Sequence, residues 1–200
     1  MFCGIVDHLG TLEHIAPKPD GVLLRIRSQF TDFSLGESIA VDGVCLTVTA
    51  SDGNTFECEL SPETLNVTIA HHYRSGQLLN LERAMRLSDR MGGHWVTGHV
   101  SETITVSRKA RHDEFVEFYF SDVAKPTLSY LVPKGSVAIN GVSLTVNTVD
   151  ETGFSLMLIP HTLERTNLSS LKVNDRVNVE WDYLAKLVEK QLETKNTSLH

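Results

Sequence analysis

The feature that most constrains this 200-residue chain is that it contains the same pattern twice. Residues 38–49 read SIAVDGVCLTVT and residues 136–147 read SVAINGVSLTVN, a spacing of 98 positions from Gly43 to Gly141. At that spacing Phe56 meets Phe154, Leu60 meets Leu158, and Pro62, Thr64, Leu65 and Thr68 meet Pro160, Thr162, Leu163 and Thr166. Asn80 and Glu82 likewise meet Asn178 and Glu180. The opening MFCGIV aligns with WVTGHV, Phe2 on Val96, at a spacing of 94, so one short indel separates the two registers. Self-similarity of this extent marks an internal duplication. It divides the chain into modules at 1–92 and 93–181, followed by a C-terminal segment at 182–200.

Each module reads as β-structure. Asp42-Gly43 and Asn140-Gly141, flanked by β-branched residues, carry the signature of two-residue hairpin turns. After each turn the chain alternates: Val44, Leu46 and Val48 against Cys45, Thr47 and Thr49, then Val142, Leu144 and Val146 against Ser143, Thr145 and Asn147. Further strands are expected at 22–26, 56–60, 100–106, 115–120, 154–159 and 176–180. Short strands at close, regular spacing point to small antiparallel barrels. Ser61-Pro62-Glu63 and Pro160-His161-Thr162 predict one short helix per module, with proline in its first turn. The one long helical pattern is at the end, where Asp182 is a candidate N-cap and Leu184, Leu187, Val188 and Leu192 share one face. Residues after about 194 are polar and are expected to be disordered.

Composition excludes several classes. Apolar residues make up 41% and charged residues 22%, a globular balance. A formal net charge of −7 argues against a nucleic-acid backbone or an anionic membrane surface as partner. No apolar run approaches the ~18 residues of a spanning helix. The first twenty residues hold Asp7, Glu13, Pro17 and Pro19 and no apolar core of a secretory leader. Cys3, Cys45 and Cys58 are odd in number and form no C-x-x-C, which suits a reduced, cytoplasmic setting.

If two copies of one module keep a fold but differ in chemistry, the informative positions are those where matched segments diverge. Cys45 faces Ser143, Glu63 faces His161, Ile5 faces His99, Ala84 faces Asp182 and Phe2 faces Val96. His94 and His99 are five apart, which on a strand would place them on opposite faces, and no cysteine or carboxylate stands at ligand spacing; no metal is expected. His71-His72 reads as a solvated loop, Cys58 as core, and Gly43 and Gly141 as turn residues.

The ordered set MFCGIV, GESIAVDGVCLTV, MGGHWVTGHV, KGSVAINGVSLTV, IPHTLERT and VNVEWD resembles the riboflavin synthase family, that is, the lumazine-binding domain family, over nearly the whole chain. The resemblance implies an all-β fold of tandem six-stranded antiparallel barrels with a C-terminal helix through which a homotrimer forms. It implies that two molecules of 6,7-dimethyl-8-ribityllumazine are bound per site and converted to riboflavin and a ribitylamino-pyrimidinedione, with no cofactor. Association with lumazine synthase is left open. The alternative is a non-catalytic antenna protein that only holds lumazine or flavin. The third residue departs from the family's usual threonine: here it is Cys3, whereas the second copy keeps Thr97.

For the chemistry, a base must take a proton from the lumazine 7-methyl group, and donors must stabilise the resulting anion. His99 is the expected base, with Asp182 orienting it, and Cys45, Ser143 and Thr145 as attacking or polarising groups, with Thr47 as a further donor. Substrate-binding roles are implied for Phe2, Cys3, Gly4, Ile5 and Val6, for Ser38, Leu46 and Thr47, and for Glu59, Leu60, Ser61, Pro62, Glu63 and Thr64. They extend to His94, Gly98, Val100 and Lys134, to Leu144 and Thr145, and to Ile159, Pro160, His161, Thr162, Leu163 and Glu164.

Overall fold

A computed structural model describes residues 1–197, with side chains through 192. Strands β1 (His8–Lys18), β2 (Gly21–Arg27), β3 (Ser38–Val41), β4 (Val44–Asp52), β5 (Thr55–Leu60) and β6 (Leu78–Arg83) close one barrel in the order β1-β2-β5-β4-β3-β6. Strands β7 (Glu102–His112), β8 (Phe115–Ser121), β9 (Ser136–Ile139), β10 (Val142–Val149), β11 (Phe154–Leu158) and β12 (Arg176–Trp181) close a second in the matching order β7-β8-β11-β10-β9-β12. Short helices α1 (Pro62–Val67) and α3 (Pro160–Arg165) follow β5 and β11, each continued by a 3-10 turn; α2 (Lys125–Leu128) lies after β8, and α4 (Tyr183–Thr197) ends the described chain.

The duplication is reproduced down to its irregularities. The register shifts between Leu12 and His14 and again between Val106 and Arg108, and between Val48 and Ala50 and again between Val146 and Thr148. Such bulges bend strands enough to close a small barrel. Both hairpin turns place their central residues at positive φ: Asp42 45° and Gly43 80°, Asn140 44° and Gly141 77°. The two turns meet back to back, so that a Cβ on Gly43 would stand 2.6 Å from the Gly141 nitrogen.

Each barrel has its own core. The first is aliphatic around Phe56 and Cys58. The second carries an aromatic row, Phe118–Phe120–Phe154–Trp181, with centroids 6.2, 5.4 and 5.9 Å apart. Between the barrels Phe2, Ala40, Val96 and Ala138 form a small third cluster. The matched asparagines clasp the modules reciprocally: Asn80 Nδ2 donates to the Asn140 carbonyl and Asn178 Nδ2 to the Asp42 carbonyl, both at 2.9 Å.

Some sequence expectations change. β1, β6 and α2 were not anticipated; β1 is amphipathic only over its first half. The strand expected at 100–106 begins at Glu102 and runs to His112; upstream of it Val96 pairs with Phe2, and the Gly98 carbonyl accepts from Cys45 N. β11 stops at Leu158, since Ile159 is the residue before the proline that opens α3. His71 and His72 sit in a 3-10 helix, not a loop. α4 is helical through Thr197, where a disordered tail is expected after about 194; the rest of that expectation, 198–200, lies outside the described residues.

Candidate active site

The opening segment of each module crosses to the other barrel. Ser143 N donates to the Gly4 carbonyl and Cys45 N to the Gly98 carbonyl, each at 2.8 Å. The two segments meet in an antiparallel bridge between Phe2 and Val96. Gly4 (φ 76°) and Gly98 (φ 81°) permit the crossing: a Cβ on either would lie 2.6 Å from the Cβ of Ser143 or Cys45.

Beside β4 this leaves a hollow of about 200 Å³, in which Cys45, Glu63, Thr64, Gly98, His99 and Val100 meet. These residues come from the first hairpin, from α1 and from the opening of the second module. Cys45 is a free, half-buried thiol. His99 is exposed and its backbone N–H donates to Thr97 Oγ1 at 3.2 Å.

The matched positions beside β10 are Ser143, His161, Thr162, Gly4, Ile5 and Val6, and the chemistry differs. Ser143 Oγ hydrogen-bonds His94 Nδ1 at 2.7 Å. His94 Nε2 is buried and has no hydrogen-bond partner among the described residues. Burial pushes the His94 pKa below its ordinary value, against the opposing pull of the Asp182 carboxylate. A neutral imidazole so placed can accept a proton. The segment carrying His94 folds directly over Ser143: a Cβ on Gly93 would meet the Cys3 carbonyl oxygen at 2.0 Å and Ser143 Cβ at 2.8 Å. Asp182 accepts from Leu184 N at 2.9 Å and so caps α4 as well as facing this histidine.

Several expected residues stand elsewhere. Leu46 and Leu60 point into the first barrel's core, and Phe2 is wholly buried between modules, so their side chains cannot face a ligand in this arrangement. Cys3 is also buried, its thiol turned to Glu82. Glu59 is ion-paired with Lys18. Ser61 caps α1 by accepting from Thr64 N at 3.1 Å, with Pro62 at the helix start. Thr47 and Thr145 are exposed beside their cross-strand partners Ser38 and Ser136. Lys134 is exposed in a turn at φ 69°. Val6, Leu144 and Leu163 pack partly against the second core, and Ile159 is exposed at the start of α3. Pro160, Leu163 and Glu164 border a different hollow with Arg111 and Glu114. His94 and His99 are not on a strand; the bend between them sends one to Ser143 and the other to Cys45. The Ser143–His94 pair spans 49 positions and has no local sequence signal. Among the described residues no group of three or more His, Cys, Asp or Glu is arranged to hold a metal, and no helix is long and apolar enough to cross a membrane. A larger cavity, about 730 Å³ around Asp42 and Asn140, holds none of the expected site residues.

The family described as "Lumazine binding domain" matches residues 3–84 and again 97–182. Curated relatives named riboflavin synthase include one from Brucella abortus, 39% identical over 193 residues, covering 93% of this chain and 95% of the relative. Another, from Schizosaccharomyces pombe, is 38% identical, covering 96% and 94%. The fold is shared with the protein LumP in its crystal structure complexed with riboflavin, at a TM-score of 0.82 and 23% identity, covering 90% of this chain and 99% of that one.

Proposed function

Because this chain belongs to the riboflavin synthase family, built from paired lumazine-binding domains, we propose that it converts two molecules of 6,7-dimethyl-8-ribityllumazine into riboflavin and 5-amino-6-(D-ribitylamino)uracil by transfer of a four-carbon unit. The observation that carries this reading is the pair of matched positions with unmatched chemistry: Cys45 with His99 at a hollow beside β4, and Ser143 hydrogen-bonded to His94, near Asp182, beside β10. A reaction in which one molecule gives carbons and an identical one takes them needs two sites that bind alike and react differently.

In the first hollow His99 takes the proton of the 7-methyl group, and the hydrogen-bond donors around the ring carbonyls hold the delocalised anion. At the matched position beside β10, Ser143 Oγ engages the partner ring while His94 receives the hydroxyl proton and Asp182 favours the imidazolium that forms. Neither step requires a cofactor.

A hollow of about 200 Å³ is smaller than the roughly 300–1,000 Å³ usual for a small-molecule site. This supports an active site completed by the second barrel of a neighbouring subunit. The exposed stripe Leu184, Leu187, Val188 and Leu192 on α4 supports a homotrimer assembled through that helix. Truncation before Tyr183 is expected to lower the mass seen by sedimentation; an unchanged mass would remove α4 from the interface.

The likeness to LumP favours one rival reading, a protein that holds the lumazine and does nothing to it. Incubation with 6,7-dimethyl-8-ribityllumazine alone separates the two. Riboflavin absorbance and fluorescence should appear; tight binding with a persistent lumazine spectrum would establish the rival.

A further inference from the structure

Glu82 and Glu180 were matched by the duplication, yet neither has a part in the chemistry above. Both are nearly buried, each 5% exposed, and neither is in an ion pair among the described residues. Their carboxylates face backbone. Glu82 Oε1 accepts from Cys3 N at 2.7 Å and its Oε2 from Gly4 N at 2.9 Å. Glu180 Oε1 accepts from Thr97 N at 2.7 Å and its Oε2 from Gly98 N at 2.9 Å. A carboxylate that receives two successive backbone N–H groups fixes both the position and the direction of that segment.

The side chain before each glycine completes the same device. Thr97 Oγ1 donates to Glu180 Oε1 at 2.6 Å, and the Cys3 thiol stands against Glu82. The threonine-to-cysteine difference between the copies therefore falls at a buried carboxylate and not on a ligand-facing wall. Burial pushes the Glu82 pKa up, while the donors from Cys3 and Gly4 pull it down.

Each clamped segment lies on the hairpin of the other module, against Ser143 in one case and Cys45 in the other. Glu82, on β6 of the first barrel, holds the Cys3-Gly4 segment that lies on Ser143 of the second. Glu180, on β12 of the second barrel, holds the Thr97-Gly98 segment that lies on Cys45 of the first and carries His99 into its hollow. We propose that Glu82 and Glu180 are positioning residues acting crosswise, each belonging to one barrel and fixing the segment that lies on Ser143 or Cys45 of the other. All four carboxylate oxygens are engaged by backbone N–H groups of the clamped segments. The proposal rests on the riboflavin synthase reading for its catalytic consequence, but its geometry is tested without turnover.

The probe is the rate at which iodoacetamide alkylates Cys45, the one half-buried cysteine; Cys3 is 6% and Cys58 0% exposed. Glu180→Gln keeps the size of the side chain but puts an NH2 against a backbone N–H. It should loosen the cover over Cys45 and raise the alkylation rate at least about fivefold, whereas Glu82→Gln, in the barrel that contains Cys45, should leave it within about twofold. In a Cys45→Ser, Ser143→Cys background the order should reverse, Glu82→Gln accelerating labelling and Glu180→Gln leaving it near its starting value. If Glu180→Gln does not fold, Thr97→Val, which deletes one hydrogen bond of the clamp, should give a smaller acceleration of the same kind. Equal effects of both glutamates on Cys45, or a larger effect of Glu82→Gln, would overturn the crosswise assignment and leave two ordinary buried acids. Loss of riboflavin formation in wild-type protein would sink the functional reading and leave these labelling results intact.

Discussion

The two barrels share one strand order and the same bulges and turns, yet a serine–histidine pair sits against one and an open cysteine hollow against the other. The shared parts are backbone: ladders, glycine crossings, and carboxylates receiving N–H groups. The unshared parts are side chains at a few matched positions, together with the segment 92–94 that folds over Ser143. Duplication thus copied the backbone frame and left side chains at a few matched positions free to diverge. The difference teaches that chemical asymmetry between the modules need not reside in the fold at all.

The sharpest way to break this comparison is to remove the serine–histidine pair beside β10. Ser143→Ala should lower kcat by about 10²–10³-fold with an unchanged melting temperature. His94→Ala should cost a similar factor, and the double variant little more, because the two act as one unit. Multiplying effects in the double variant would show that they act separately. Cys45→Ser, which makes the first hollow resemble the second, should cost less, within about tenfold.

The shared scaffold is tested by the crossings. Gly4→Ala and Gly98→Ala each force a Cβ to 2.6 Å from a neighbouring Cβ at positive φ. Each should lose about 2–4 kcal/mol in urea unfolding. A loss at only one of them would mean that the two crossings are not equivalent in energy.

A smaller effect should come from the first central position of the two hairpin turns, where the copies differ in charge, Asp42 against Asn140. Asp42 accepts from Asn80 N and Asn167 Nδ2 at 2.8 Å and from Tyr73 OH at 3.0 Å, and burial pushes its pKa up to about 7 despite those donors. A folded-state pKa raised above the ordinary value of 3.8 means that the folded protein holds the proton more tightly than the unfolded chain. The associated stability is complete below about pH 4 and is lost as pH rises towards 7. Asp42→Asn should therefore gain on wild type across that interval when urea midpoints are compared. A gap between them that does not change with pH would show that the three donors hold Asp42 ionised throughout.

Much of this architecture is legible in the chain. Asp42-Gly43 and Asn140-Gly141 announce hairpins because few residues tolerate positive φ, and Ser61-Pro62 and Pro160 mark helix starts by chemistry local to four residues. The candidate site is legible only in part. His99, Cys45, Glu63 and Ser143 stand out as divergences between copies, and the structure puts the first three around one hollow. His94 was grouped with ligand-binding residues, and its bond to Ser143 across 49 positions depends on how a loop returns over β10. Leu46 and Leu60 belong to segments that resemble the family's binding segments, yet alternation along a strand turns their side chains to the core.

From the amino-acid order alone follow the doubling, the β class, the turns and the identity of the groups that diverge, since each is written in periodicity or in one residue's conformational range. Folding in three dimensions decided which barrel each group serves. Because the opening segments cross, Gly4 answers to Ser143 and Gly98 to Cys45, and hydrogen bonds between residues 78 to 83 positions apart hold that exchange. No local pattern encodes such contacts; they exist only once both barrels have closed and brought distant backbone to a buried carboxylate.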